Sequence, residues 1–184
     1  MQVELLYHTP DPERAIATAA RLCYAPVGAA ELMEAMPEER VKSVLSTIMS
    51  AGHTSTLEHA SYTFAVDGVS RALTHQLVRH RIASFNQQSQ RYVKFKGDIP
   101  MVKPAPVAAD PECDRLFDEA AAAVAEAYRA LVEAGIPAED ARYLLPNAAE
   151  TKIVITMNVR ELLHFFRLRC CNRAQWEIRD MAHR

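Results

Sequence analysis

Five glycines in 184 residues, at positions 28, 52, 68, 97 and 135, limit the architecture of this chain more than any other feature. Folds that hold a nucleotide on a glycine-rich turn need several glycines at fixed spacing, so that backbone N–H groups can approach phosphate at a helix N-terminus. No GxGxxG follows any expected strand and no Walker-type glycine loop occurs, which excludes a Rossmann domain and a P-loop. Any nucleotide this chain holds must be held without a glycine-rich loop.

The pattern of elements is mixed. VELLYH reads as a strand, and DPERAIATAARLCY as a helix opened by Asp11 with Pro12 at its first position. PEERVKSVLSTIMSAG predicts a second helix with Val41, Val44, Leu45, Ile48 and Met49 on one face and Gly52 as its stop. ASYTFAVDG is a short strand with Tyr62, Phe64 and Val66 on one side, and SRALTHQLVRH a helix capped by Ser70. IASFNQQSQRYVKF is polar without helical period and is expected to be a loop. The connection through Pro100, Pro104, Pro106 and Pro111 leads to an alanine-rich helix from Pro111 to Ala134, closed by Gly135 and Pro137. PAEDARYLL is a short helix ended by Pro146, KIVITMNV a strand, and RELLHFFRLRCCNRAQWEIRDMAHR one or two helices. These elements predict an α+β fold of long helices packed on a small, mainly antiparallel sheet, in a single domain over 1–184.

Composition adds exclusions. Apolar residues are 49% and charged residues 24% of the chain, which suits a globular protein and not a disordered one. No apolar run approaches the length of a membrane span, and MQVELLYHTPDPER lacks the pattern of a signal peptide, so a cytoplasmic protein with no membrane partner is expected. Cys23, Cys113, Cys170 and Cys171 form no CxxC pair and read as reduced structural thiols.

Charge is distributed unevenly. From Gly68 to Gly97 the chain carries Arg71, Arg79, Arg81, Arg91, Lys94 and Lys96 without one acid, although its net charge is −2. Sixteen arginines against five lysines favour forked recognition of flat or phosphorylated anions. The centre of this stretch is RHRIASFNQQSQR, residues 79–91. If the preceding helix continued, Gln76, Arg79 and His80 would share a face and Arg81 would point away, which suits a site where subunits meet. Ser89 and Arg91, among Gln87, Gln88 and Gln90, offer hydroxyl, guanidinium and backbone N–H groups of the kind that hold phosphate without metal. Each charge-assisted contact contributes roughly 1.5 to 3 kcal/mol. A solvated basic surface is the competing reading.

The C-terminal segment repeats the theme. Arg160, His164 and Arg167 fall on one helical face and Arg169 and Arg173 on a neighbouring one, with Leu162, Phe165 and Phe166 on the core side and Trp176 in a core or interface. A metal site is not expected. His53, Glu58 and His59 with His75 and His80 follow no ligand spacing, HExxH is absent, and the arginines would repel a cation. Two further classes compete: a single-stranded nucleic-acid groove using Phe85, Tyr92 and Phe95, which would bind in a steeply salt-dependent way, and a metal-dependent hydrolase using the histidines and Glu58.

RHRIASFNQQSQR resembles the arginine–histidine–arginine signature of the flavin-dependent thymidylate synthases. GHTSTLEH, HQLVRHR, ARYLLPNA, MNVREL and RAQWEIR resemble further segments of that family, in family order and over nearly the whole chain. Family members usually carry more helical sequence after the last of these, so C-terminal packing is expected to differ. The resemblance implies a homotetramer with sites shared between subunits, and reductive methylation of dUMP to dTMP. It also implies FAD, 5,10-methylenetetrahydrofolate as carbon donor, NADPH as reductant and tetrahydrofolate as product, with no nucleic-acid partner. Matched by position, Ser55, Arg79, His80, Arg81, Gln87, Asn158, Arg160 and His164 would contact FAD. Gln76, Arg79, Gln87, Gln88, Ser89, Gln90, Arg91, Arg142 and Arg169 would line dUMP, with Ser89, Arg91 and Arg142 at its phosphate. Arg169 would stabilise charge developing on the uracil ring, and Ser89 would bind without acting as a nucleophile; these two are the expected catalytic residues. His53 and Tyr92 would wall the stacked folate or nicotinamide ring.

Overall fold

The computed structural model describes residues 1–95 and 97–184; Lys96, one of the six cations of the acid-free stretch, lies outside the described residues. Its strands form one antiparallel sheet in the order β1-β2-β4-β3. β1 is Gln2–His8, β2 Ser61–Ser70, β3 Ala83–Gln87 and β4 Glu150–Asn158. The helices are α1 (Pro12–Leu22), α2 (Ala29–Ala35), α3 (Glu38–Ala51), α4 (Arg71–Leu77), α5 (Ala105–Ala108), α6 (Pro111–Glu133), α7 (Ala138–Ala141), α8 (Val159–Arg169) and α9 (Trp176–His183), with single 3₁₀ turns at Thr54–His59 and Arg142–Leu144. This is the expected α+β fold, rich in helix around a small antiparallel sheet.

Contacts divide the chain into two compact units. The first comprises Met1–Gln2, Val66–Arg79 and Asn86–Ile153, and the second Val3–Ala65, His80–Phe85 and Val154–Arg184. The core of the first gathers Ile99, Ala125, Tyr128, Ala141 and Ala149, with Phe95 edge-on to Tyr128. The core of the second gathers Ile16 and Ala17 of α1, Val41, Val44 and Ile48 of α3, and Leu57 and Ala60 beside them. Removing a side chain such as Ile48 from that cluster costs about 2 to 5 kcal/mol, the transfer and cavity terms together.

Local signals set most boundaries. Asp11 caps α1 with its carboxylate, and Ser70 caps α4 by accepting from the Leu73 N–H at 3.0 Å. Gly52 ends α3 with φ of 70°, where a side chain would be strained. Gly68 also has φ of 70°, and an added Cβ would meet the Met1 backbone at 3.2 Å. The four cysteines are free, and no helix among the described residues is long and apolar enough to cross a membrane.

Several expectations are corrected. Residues 83–87 form strand β3 rather than the start of a loop: Ala83, Phe85 and Gln87 are half-buried while Ser84 and Asn86 face outward, and pairing along β4 continues through the Gln88 N–H to the Lys152 carbonyl at 2.9 Å. α4 stops at Leu77, so Arg79 and His80 are not on a helical face with Gln76. The buried hydrogen bonds of the His80 ring outweigh the helical preference of the preceding residues. α2 has no counterpart among the expected elements, the proline-rich connection includes α5, and α8 ends before Arg173. Met49 and Phe166, expected inside, are 53% and 37% exposed, and Trp176 is 39% exposed.

Candidate active site

The first unit carries the residues expected at the substrate except Arg169, which belongs to the second. Gln87 sits at the end of β3 and its amide donates to the hydroxyls of Thr74 (3.0 Å) and Thr151 (3.3 Å), which fixes the carboxamide against two elements. Gln88 is exposed, and the Ser89 hydroxyl accepts from the Arg91 N–H at 3.2 Å. Gln90 is half-buried, and its side-chain nitrogen is the buried polar atom left without a partner among the described residues. A buried donor with no acceptor costs roughly 1 to 3 kcal/mol, so a ligand oxygen there would be welcome. Arg91 contacts one carboxylate oxygen of Glu139 through Nε at 3.0 Å and through its terminal nitrogen at 2.9 Å, and lies over the Tyr92 ring. Arg142 donates from Nε to the Glu139 carbonyl at 3.0 Å. Arg91 and Arg142 thus converge on one residue of α7. Burial and the nearby Arg142 charge lower the pKa of Arg71, so a third guanidinium belongs to the same positive neighbourhood. Gln76 donates to the Ala72 carbonyl at 3.3 Å, and Arg79 is exposed.

The second unit carries most of the residues expected at the cofactor. A cavity of about 590 Å³ is lined by Asn158, Arg160, His164 and Arg167 with Leu57, Ile82 and Leu163 among its apolar walls. α8 sets this arrangement: Asn158 caps it by accepting from the Glu161 N–H at 2.9 Å, and helical spacing then puts Arg160, His164 and Arg167 along one side. Arg160 pairs with Glu58 across an exposed contact, and His164 Nδ1 meets the Arg167 guanidinium at 3.1 Å. Ser55 and His53 line a different cavity, of about 310 Å³, with Arg21, Arg40 and Tyr24. Arg81 and Tyr92 are exposed.

His80 is the buried centre of the second unit's polar residues. Only 4% exposed, its ring lies edge-on to Phe165, with His164 5.9 Å away centroid to centroid. Nδ1 is 2.8 Å from Glu161 Oε1, and Nε2 receives a hydrogen bond from Arg169 Nε at 3.0 Å. Burial lowers the His80 pKa, reinforced by the charges of Arg169 and His164 and opposed by Glu161. Glu161 is the residue that sequence reasoning missed. Its counter-signal was weak, since an acid in the first turn of a helix usually faces solvent at the positive end of the dipole.

His80, Glu161 and His164 bring possible ligand atoms within 4.8 Å of one another, a different trio from the histidines weighed in the sequence. His80 Nε2 and His164 Nδ1 each meet a guanidinium, and His80 Nδ1 is engaged by Glu161, so three of the trio's ring nitrogens and one of its carboxylate oxygens already have partners. The walls suit another kind of guest. Apolar side chains beside an amide, an imidazole and two guanidiniums match a flat heteroaromatic group with a polar edge and an anionic tail, which is what a flavin nucleotide presents.

A family model for the thymidylate synthase complementing proteins matches residues 4–184. The flavin-dependent thymidylate synthase of Geobacter sulfurreducens is 62% identical over 183 residues, covering 99% of this chain and 79% of the relative. That of Clostridium tetani is 49% identical over 199 residues, covering 100% and 80%, and that of Pyrococcus abyssi 45% identical over 185 residues, covering 99% and 76%. Matched along nearly its whole length and at these identities, the chain belongs to the family of the flavin-dependent thymidylate synthases.

Proposed function

We propose that this chain is a cytoplasmic enzyme that methylates dUMP to dTMP reductively. In this reading it takes the carbon from 5,10-methylenetetrahydrofolate and the reducing equivalents from NADPH, works through FAD, and releases tetrahydrofolate. Family membership carries the coarser statement, a flavin-dependent methyltransferase of thymidylate synthesis. The observation that best supports the finer one is the hydrogen bond from Arg169 to His80, which ties the arginine expected at the uracil ring to the middle of the RHR stretch.

When bound, FAD supplies a two-electron carrier between the nicotinamide and the carbon transferred. Asn158, Arg160 and His164 would hold it in the cavity of the second unit; Ser55, Arg79, His80, Arg81 and Gln87 are the further residues proposed to contact it. Gln76, Arg79, Gln87, Gln88, Ser89, Gln90, Arg91, Arg142 and Arg169 would line dUMP. Arg91 and Glu139 are each about half exposed, and an ion pair of that kind is worth about 0 to 1 kcal/mol, so Arg91 can exchange Glu139 for a phosphate at small cost. Arg169 would lie against the uracil edge, where a fixed guanidinium stabilises negative charge as it develops. Ser89 acts as a binding group, since its hydroxyl meets a backbone N–H and, among the described residues, no base. His53 and Tyr92 would wall the stacked folate or nicotinamide. The whole chain serves as one catalytic domain in a homotetramer, with sites shared between subunits.

The test is an absorbance spectrum of the purified protein incubated with FAD, followed by anaerobic addition of NADPH with and without dUMP. Flavin bands that bleach, and do so faster with dUMP present, are the expected result. A protein that gains no flavin bands would remove the redox reading and favour the salt-dependent nucleic-acid groove.

A further inference from the structure

Glu161 belongs to neither set of proposed site residues, and the methylation of dUMP does not by itself call for a carboxylate there. It is nevertheless only 6% exposed, against a His80 that is 4% exposed. Burying a carboxylate is unfavourable unless something specific compensates it. Here the compensation is directional. Arg169 Nε has a hydrogen to give and no lone pair to accept with, so the His80 nitrogen it contacts at 3.0 Å must be the bare one. The ring proton therefore sits on Nδ1 and is donated to Glu161 Oε1 at 2.8 Å. Each group in the row leaves the next a single role: Arg169 donates to His80, and His80 donates to Glu161.

We infer that Glu161 is a positioning residue for thymidylate formation: its carboxylate holds His80 in the Nδ1–H tautomer, and the bare Nε2 that results fixes the guanidinium of Arg169. The inference rests on the proposed function for what Arg169 does to substrate, and on geometry alone for the tautomer. A buried carboxylate that orients an imidazole through Nδ1–H is a recurrent device wherever the opposite nitrogen must stay a lone pair. Glu161 is the acceptor that favours a proton on Nδ1, and without the carboxylate that preference is lost. In the Nε2–H form the ring would set a donor against the donor of Arg169, and the guanidinium would turn away. The groups facing His80 are Glu161, Arg169 and His164, and burial keeps the ring neutral among them.

The experiment uses the full chain labelled with ¹⁵N-histidine. It has seven histidines, and the His80 signals are assigned by their loss in His80→Gln. In the free protein, Nδ1 should give a protonated shift and Nε2 a bare one, unchanged between about pH 6 and 8. Glu161→Gln keeps an oxygen acceptor and should keep both the tautomer and, within about threefold, kcat. Glu161→Leu keeps neither and should lower kcat about 10-fold to 100-fold, with a smaller change in the dUMP dissociation constant measured by calorimetry. Rescue by glutamine separates orientation from charge, because both variants lose the negative charge. If Glu161→Leu does not fold, the wild-type and Glu161→Gln spectra decide. A wild-type His80 protonated on Nε2, or doubly protonated near neutral pH, overturns the inference, as does a folded Glu161→Leu with wild-type kcat. A wild-type protein that shows the Nδ1–H signature but makes no dTMP overturns the functional reading instead and supports the orienting row.

Discussion

Two side chains could challenge a reaction without an enzyme nucleophile, and the structure treats them differently. Ser89 has a hydroxyl whose partner is the Arg91 N–H, and a serine engaged that way gains no nucleophilicity. Cys171 is the more chemically interesting of the pair. Its pKa is lowered, first by the Arg173 backbone N–H and then by the Arg173 side chain, which raises its thiolate fraction at neutral pH. It follows Arg169 by two residues, beyond the end of α8. Both groups can be removed with little loss of volume. Ser89→Ala should retain measurable dTMP formation with a raised KM for dUMP, about 10-fold for one lost contact of roughly 1.4 kcal/mol. Cys171→Ser should turn over at close to the wild-type rate. Steady-state assays of dTMP release check both, and complete loss of chemistry in either variant, with dUMP binding intact, would return an enzyme nucleophile to the mechanism.

At the level of elements, α8 does two jobs with one residue at its start. Asn158 Oδ1 caps the helix, the carboxamide nitrogen of the same side chain is not needed for the cap, and the residue also lines the cavity that carries Arg160 and His164. The jobs can be separated. Asn158→Ser supplies a capping oxygen but no amide, so it should leave the melting temperature of the apoprotein nearly unchanged and weaken FAD binding. Asn158→Ala should lose both, with about 0.5 to 2 kcal/mol of stability going with the cap. Thermal melts of the apoprotein and a fluorescence titration with FAD read the two effects independently, and equal FAD affinity in the wild type and Asn158→Ser would remove Asn158 from the cofactor set. The same helix shows what sequence can and cannot reveal. Arg160, His164 and Arg167 line one cavity because helical period is a local property, and period was visible in RELLHFFR. Asp11, Ser70 and Gly52 announced helix ends for the same reason. The end of α4 was not legible, since it depends on a His80 ring bonded to residues 81 and 89 positions away. β3 was hidden differently: its alternation is carried by Ala83, Phe85 and Gln87, a weak set whose strand character comes from pairing with β4.

For the molecule as a whole, the question is whether one chain can complete a site. Tyr24, Tyr92 and Tyr143 are 78%, 78% and 85% exposed, and β1, an edge strand of the sheet, leaves Leu5, Leu6 and Tyr7 exposed as well. Large apolar side chains and an open strand edge are surfaces that proteins usually cover. RHRIASFNQQSQR also carries exposed cations at Arg79, Arg81 and Arg91, and Arg91 is the one of the three that pairs with a carboxylate among the described residues. The proposed homotetramer with shared sites would account for both features, because a neighbouring subunit would cover the apolar residues and receive the arginines. Sedimentation should then give a native mass of four times the 20.6 kDa chain. Complementation tests the sharing itself. Arg81→Ala and Arg160→Ala are each expected to lose flavin-dependent turnover. If every cofactor site takes Arg81 from one subunit and Arg160 from another, random mixing of the two variants leaves about one site in four with both arginines intact. Coexpressed Arg81→Ala and Arg160→Ala should therefore recover about a quarter of wild-type activity, measured per flavin-binding site, while either variant alone stays inactive. Sites built within one subunit would give no recovery at any mixing ratio, since each chain would still carry its own lesion.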